Sequence, residues 1–120
     1  CSKYPSIRVP VFDDHDGTSL HAHYKCYVYL EQDKLADGWS RDKIIDEINA
    51  RGVPCYQGSC SEVYLEKAFD GTGWRPEPRL SIAKALGETS MMFLVHPTLT
   101  EAEIRKTCDV LDEVLSQTCQ

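Results

Sequence analysis

Three short stretches of the chain contain residue types that could take part in chemistry. In the first, HAHYKCYVYL, His21 and His23 would lie on one side of a strand as a possible metal pair, with Lys25 after them. A lysine amine can form a Schiff base, although lysines on exposed sheet faces are far more common. No third Cys or His lies nearby on the same face, so the pattern gives little support for a zinc site.

The second stretch is a turn of small and polar residues at 56–62. A short helix capped by Ser61 is predicted to follow it, and the free N–H groups at its start suit an anionic group such as a phosphate. Cys60 at the same place could have a lowered pKa and act as a nucleophile, but no local motif supports a thiol enzyme. The chain has no GxSxG, HExxH, Walker or dinucleotide motif, which favours a binding or accessory domain. The apolar residues of the short helix are Val63, Tyr64, Leu65 and Phe69.

The third stretch, MMFLVHPTLTEAEI, shows how the surrounding structure is built. Five apolar residues predict a buried strand over 91–95, which stops at Pro97 because proline has no N–H for a ladder. We interpret His96 as a source of hydrogen bonds at this corner rather than as a catalytic residue. Thr100 and Glu103 have the spacing of a capping box, so a helix begins there. The predicted buried stripe of this helix is Ile104, Cys108, Leu111, Val114 and Leu115.

Two more strands are predicted upstream of this stretch. Residues 21–30 are rich in Tyr and Val with rough alternation, and a shorter extended piece covers 53–56. Residues 1–20 contain two prolines and a polar run, and we expect them to be an irregular lead-in. The residues expected on the inward face of the longer strand are Ala22, Tyr24, Cys26, Val28 and Leu30.

Two amphipathic helices complete the predicted elements. One takes Ser40 as its N-cap, runs to Arg51 and closes at Gly52, and the other covers 80–86 and ends at Gly87. The buried stripe of the first of these helices is predicted to be Ile44, Ile45 and Ile48. We therefore predict an α+β fold, a two-layer α/β arrangement in which a small, mostly antiparallel sheet packs against helices.

Composition and charge exclude several classes of function. The 120 residues are 42% hydrophobic and 27% charged, as in ordinary globular proteins, and we expect a single domain over 1–120. The net charge of −6 argues against nucleic acid or an anionic membrane as a partner, and no apolar run approaches a membrane span. The six cysteines include no CxxC pair, so we expect free thiols and a cytoplasmic location. A secreted, disulfide-linked interaction domain is the alternative.

Three blocks of the sequence resemble the C-terminal small domain of the DegT/DnrJ/EryC1/StrS aminotransferases. The blocks are HAHYKCYVYL, GWSRDKIIDEINARGVPCYQGSCSEVYLEKAF and RLSIAKALGETSMMFLVHPTLTEAEI, within a match over about residues 5–115. These enzymes have the aspartate-aminotransferase fold and use pyridoxal phosphate to aminate keto sugars that are attached to nucleotides. The resemblance implies a role in cell-surface polysaccharide or deoxyaminosugar biosynthesis, and a small domain like that of the aspartate-aminotransferase fold.

The resemblance also implies that essential parts of the enzyme lie outside these 120 residues. The Schiff-base lysine of the family and most phosphate ligands of the cofactor belong to a large N-terminal domain. Pyridoxal phosphate is therefore expected in the full-length protein and not on this fragment, which should be inactive alone. The implied partners are the missing large domain, a nucleotide-sugar substrate and a second subunit in a homodimer, with glutamate or glutamine as the amino donor.

Substrate contacts are implied at the segment that follows the first helix. Many relatives carry a His-Tyr pair there that reaches the nucleotide, and the matching place in this chain holds Cys55 and Tyr56, so only the tyrosine carries over. The glycine-serine turn after it also differs from the version that is common in the family. The residues expected to contact substrate are Tyr56, Gln57, Ser59 and Ser61. A free-standing nucleotide- or protein-binding domain without catalysis is the alternative function.

Overall fold

The structure, a computed structural model, describes residues 3–11 and 22–118. Its strands are β1 (Ile7–Arg8), β2 (Lys25–Leu30), β3 (Cys55–Gln57) and β4 (Ser90–Leu94). Its α-helices are α1 (Arg41–Ala50), α2 (Ser81–Thr89) and α3 (Glu101–Leu115). Short 3-10 turns lie at Gln32–Lys34, Val63–Leu65 and Lys67–Phe69.

The strands form one four-stranded sheet in the order β1-β2-β4-β3, and every neighbouring pair is antiparallel. Val28 lies opposite Met91, while Tyr27 and Tyr56 both lie opposite Met92. Because directly opposed residues share a face, Val28 and Met91 mark the first face of the sheet. Tyr27, Tyr56 and Met92 mark the second face. The predicted α+β class with a small antiparallel sheet is confirmed.

The hydrophobic core lies between the first face of the sheet and the helices α1 and α3. Ile44 and Ile48 of α1, Met91 of β4 and Val114 of α3 are fully buried there. The predicted stripe of α1 is confirmed, since Ile45 is also buried. Full burial of each such side chain contributes roughly 1.5–3 kcal/mol to folding, so this layer supplies most of the driving force.

Local sequence signals set the starts of α1 and α3 and the end of α1 as expected. The Ser40 hydroxyl accepts a hydrogen bond from the Lys43 N–H, and Gly52 takes a positive φ of 74° after α1. Thr100 and Glu103 form the complete capping box at the start of α3. The predictions for both helix starts and for the end of α1 are therefore confirmed.

The buried stripe of α3 differs from the prediction. Ile104 is 52% exposed and Cys108 is also exposed, whereas Val110, Val114 and Leu115 are buried, the last two as predicted. All three lie in the second half of the helix, where α3 packs against α1. The first half projects past that contact, so an apolar residue there has no layer to enter.

The structure also corrects the N-terminal part of the prediction. β2 begins at Lys25, so Ala22 and Tyr24 precede the strand, and of the expected inward set only Val28 and Leu30 are buried. Tyr24 is 80% exposed, because it precedes the strand and the alternation of faces does not apply to it. The other exposed members of the predicted set are Ala22 and Cys26.

Part of the expected irregular lead-in is ordered structure. β1 pairs with the end of β2, and the Tyr4 hydroxyl donates a 2.6 Å hydrogen bond to the Asp112 carboxylate of α3. Tyr4, Ser6 and Ile7 are buried as a result. A two-residue strand has too few residues to show a period of two, which explains why the sequence pattern missed it.

The described cysteines are free thiols: Cys26, Cys55, Cys60 and Cys108. Burial raises the pKa of the Cys55 thiol to about 11, so this residue behaves as a small apolar core residue. Cys1 and Cys119 lie outside the described residues. Across 3–11 and 22–118, no helix is long and apolar enough to cross a membrane.

Candidate functional site

The turn at residues 56–62 leaves β3 and crosses the second face of the sheet. Ser59 Oγ and the Tyr27 hydroxyl are 2.5 Å apart and share a hydrogen bond. Gly58 packs directly on Ser90 of β4, because a Cβ at this position would lie 2.7 Å from Ser90 Cβ and closer still to the hydroxyl. A glycine is therefore required for the backbone to approach the strand this closely.

The four residues expected to contact substrate do not all lie in one place. Gln57, Ser59 and Ser61 line a cleft of about 430 Å³ between this turn and α2. Tyr56 is 48% exposed on the second face and is not among the residues that line the cleft. The Gln57 amide is already engaged, since its Nε2 donates a 3.2 Å hydrogen bond to Asp42 at the start of α1.

The predicted helix after Ser61 is absent, and this corrects the basis for an anion site. Val63–Leu65 and Lys67–Phe69 are two separate 3-10 turns, divided at Glu66, whose backbone is extended. The residue that precedes the first turn is Glu62, whose side chain makes no capping hydrogen bond and adds a negative charge at this place. Single 3-10 turns have no appreciable macrodipole to attract a phosphate.

The charges in the cleft also fail to favour an anion. Two cationic and three anionic side chains line it: Lys67, Lys84, Glu62, Glu66 and Glu88. Lys84 Nζ lies 3.7 Å from Glu88 Oε1, which neutralises part of its charge. The cleft suits a ligand rich in hydroxyl groups better than one with a free phosphate.

A network around Glu62 fixes the wall of the cleft to the start of α2. Arg79 donates two hydrogen bonds to the Glu62 carboxylate, and its Nε lies 2.6 Å from Oε1. The Tyr64 hydroxyl donates a third at 2.6 Å and accepts one from the Leu80 N–H at 3.2 Å. These contacts, led by Arg79 and followed by Tyr64, lower the pKa of Glu62 to about 2.

Sequence reasoning missed this network. Glu62 and Arg79 are 17 residues apart, and the sequence pattern between them predicted only a short helix. Arg75 holds the same loop in place, because it donates to the backbone oxygens of Tyr64, Leu65 and Glu66 at 2.9, 3.1 and 3.2 Å. No local sequence pattern predicts such pairs, because they form only after the loop folds back.

Acid should weaken the domain through Glu62. Its folded-state pKa of about 2 lies below the ordinary 4.5, so the stabilisation is present above pH 4.5 and is lost as the pH falls towards 2. We expect E62Q to be less stable at pH 7 and to lose less stability than the parent between pH 5 and about 2, as followed by thermal unfolding. E101Q is the control, because Glu101 is 85% exposed in a surface pair with Arg105. Equal acid sensitivity of E62Q and the parent would contradict the assignment.

Helix α2 continues through Gly87 to Thr89, whereas the sequence predicted an end at Gly87. The glycine serves a close approach instead, because a Cβ there would overlap the Ser61 hydroxyl. The Gly87 carbonyl also accepts a 2.5 Å hydrogen bond from Arg41 Nη1 of α1. Gly87 therefore joins the cleft, α1 and α2 at one point.

The remaining candidates from the sequence lie apart from this cleft or have other partners. His21 lies outside the described residues, and His23 is exposed just before β2. Among the described residues, no group of three or more His, Cys, Asp or Glu side chains could hold a metal ion. The Cys60 thiol donates a 3.7 Å hydrogen bond to a Glu66 carboxylate oxygen.

His96 forms the hydrogen bonds that we expected at the corner after β4. Its Nδ1 lies 2.7 Å from Thr98 Oγ1 and accepts a hydrogen bond from the Thr98 N–H at 3.2 Å. The corner leads directly into the capping box of α3. The predicted hydrogen bonds of His96 at this corner are confirmed.

Comparison with solved structures gives a close match to this fold. An aminotransferase from Psychrobacter cryohalolentis superposes with a TM-score of 0.87 and is 57% identical over 96% of this chain. The chain is similar to part of an aminotransferase. It spans 29% of that protein, so most of the aminotransferase has no counterpart here.

A second aminotransferase, TlmJ from Streptoalloteichus hindustanus, shares the fold at a TM-score of 0.70. It is 18% identical over 96% of this chain, which spans 28% of that aminotransferase. No family model matches the chain, and no curated protein matches it either. The evidence that this small α+β domain is similar to aminotransferases therefore rests on the comparison with solved structures.

Proposed function

We propose that the chain is the C-terminal small domain of a pyridoxal-phosphate-dependent aminotransferase of the DegT/DnrJ/EryC1/StrS family. The observation that carries this proposal is 57% identity to an aminotransferase over 96% of the chain, with less than a third of that enzyme covered. The substrate would be a nucleotide-linked keto sugar. A cytoplasmic homodimer, with glutamate or glutamine as amino donor, completes the proposal.

The residues of this chain do not fit the cofactor itself. A lysine that binds pyridoxal phosphate as a Schiff base is normally desolvated in a pocket. None of the chain's lysines is buried. Lys25 is the only partly buried lysine, and its Nζ lies 5.4 Å from the centre of the Tyr24 ring. The cofactor would therefore bind to the large domain that this chain does not contain.

The contribution of this domain would be to contact the substrate through the turn at residues 56–62. Its hydrogen bond to Tyr27 and its packing on Ser90 hold this turn in one position. Serine hydroxyls at 59 and 61 are suitable partners for sugar hydroxyls, as is the side-chain oxygen of Gln57, whose Nε2 donates to Asp42. The exposed Tyr56 on the same segment would complete the set. The mixed charge of the cleft supports contact with the sugar rather than with its phosphates.

The test is a transamination assay of the full-length polypeptide that carries this chain. With a nucleotide-linked keto sugar and glutamate, we expect product formation and the absorbance of bound pyridoxal phosphate. Y56F should raise KM for the sugar nucleotide about threefold to tenfold, as expected for one lost hydrogen bond, with little effect on cofactor binding. Y24F is the matched control, because Tyr24 is 80% exposed and lies outside the turn.

Several outcomes would count against the proposal. Pyridoxal absorbance or transaminase activity of the 120-residue chain alone would contradict the assignment of the cofactor to another domain. An unchanged KM in Y56F would remove Tyr56 from the substrate site. A full-length polypeptide that binds sugar nucleotides without transamination would favour the alternative, a binding domain without catalysis.

A further inference from the structure

Helix α2 presents apolar side chains to solvent along one side. Together these four residues are called the α2 apolar face: Leu80, Ile82, Ala83 and Leu86. Ile82 is 75% exposed and Leu80 is 49% exposed, although both are residue types that normally enter a core. With Ser61 and Ser81 they line one concave surface of about 530 Å³. None of the nine residues of α2 is buried, in contrast to the stripe of α1.

The α2 apolar face borders the candidate substrate cleft. Ser61 lines both concave surfaces, and Leu65, which is 44% exposed, lines the cleft. The nearest charged pair on α2, Lys84 and Glu88, carries no net charge. A contiguous apolar patch with a polar rim marks a surface that another protein covers. The absence of net charge at this rim favours an apolar partner surface over an acidic or basic one.

We infer that the α2 apolar face packs against the part of an aminotransferase subunit that this chain does not contain. The inference rests on the proposed function and adds the surface through which the two parts join. In the similar enzyme, the counterpart of this chain is 29% of the polypeptide, so more than two thirds of that polypeptide lies outside the match. The first face of the sheet is already covered by α1 and α3.

The position of the candidate site decides between a large domain and a second copy of this chain. The residues that would contact the substrate lie on the same side of the molecule as α2. The part of the enzyme that holds the cofactor must approach that side, because substrate and cofactor react with each other. The neighbouring apolar face is then covered by the same body.

Hydroxyl-radical footprinting of the full-length polypeptide tests this inference without any substitution. Within this domain Ile82 is more exposed than Ile104, at 75% against 52%, so an uncovered Ile82 should be oxidised at least as fast. If the large domain covers α2, we expect Ile82 to be oxidised about tenfold more slowly than Ile104, since the centre of an interface excludes water. Oxidation of Ile82 as fast as Ile104 would overturn the inference.

Dilution separates the large domain from a second subunit as the covering body. Protection that persists when the protein is diluted to monomers supports the inference, whereas protection lost on dissociation assigns the face to the second subunit and overturns it. The transamination assay is independent of both results. An active enzyme with an exposed Ile82 would contradict the docking surface and leave the proposed function intact. A protected Ile82 in a polypeptide without transamination would contradict the proposed function and leave the docking surface intact.

Discussion

Replacing Gly58 by alanine is expected to destabilise the domain and to lift the turn at residues 56–62 from the sheet. The new methyl group would lie 2.7 Å from Ser90 Cβ and still closer to its hydroxyl, and Ser90 is only 4% exposed in the central strand β4. Overpacking of this kind costs about 1–3 kcal/mol. Urea unfolding followed by circular dichroism measures the loss.

A double-mutant cycle provides the control for Gly58. S90G removes the atoms that the alanine would meet, at a cost of about 0.5–1 kcal/mol for a glycine in a strand. The combined G58A/S90G variant should then be more stable than the sum of the two single losses predicts. Strict additivity, or a G58A variant as stable as the parent, would contradict the close contact between the turn and β4.

Truncation of Ile48 to alanine is the second large effect that we expect. Ile48 of α1 is fully buried against the sheet and α3. Removal of its side-chain atoms leaves a cavity and should lower the free energy of unfolding by about 2–5 kcal/mol. I104A is the matched control, because Ile104 is 52% exposed on α3 and should change stability by about 0.5 kcal/mol or less. The same urea titration reports both variants.

The comparison also tests the corrected orientation of α3. The sequence pattern placed Ile104 on the buried stripe with Val114 and Leu115, whereas the structure buries Val114 and Leu115, adds Val110 and leaves Ile104 exposed. Losses of similar size in I48A and I104A would restore the original stripe and contradict the structure.

Features that depend on neighbouring residues in the chain could be predicted from the sequence. The Ser40 cap, the turn at Gly52 and the capping box of Thr100 and Glu103 each need only a few consecutive residues. The stop after β4 follows from Pro97 alone. For the same reason the class of the fold could be predicted, since it depends on the order of these elements.

Features that depend on distant residues could not be predicted. The pairing of Arg79 with Glu62 and the packing of Gly87 against Ser61 arise only when the loop at residues 63–80 folds back. Gly87 has the appearance of a helix end in the sequence, but a glycine is equally required where two segments touch. One chain does not distinguish these two uses of glycine.

The sequence predicted a site at residues 56–62 for a physical reason that the structure does not support. The sequence suggested a helix start at Ser61 that would attract an anion, and the structure has Glu62 followed by a 3-10 turn. Gln57, Ser59 and Ser61 nevertheless line one cleft. Their part in substrate binding stays a prediction, which the kinetic comparison of Y56F and Y24F begins to test.

Helix α2 ends at Thr89 and β4 begins at Ser90, with no residue between them. No linker separates the helix from the strand, so Ser90 follows directly from the end of α2. Gly58 packs on Ser90. One residue therefore joins α2, through the chain, to the turn at residues 56–62, through a packing contact.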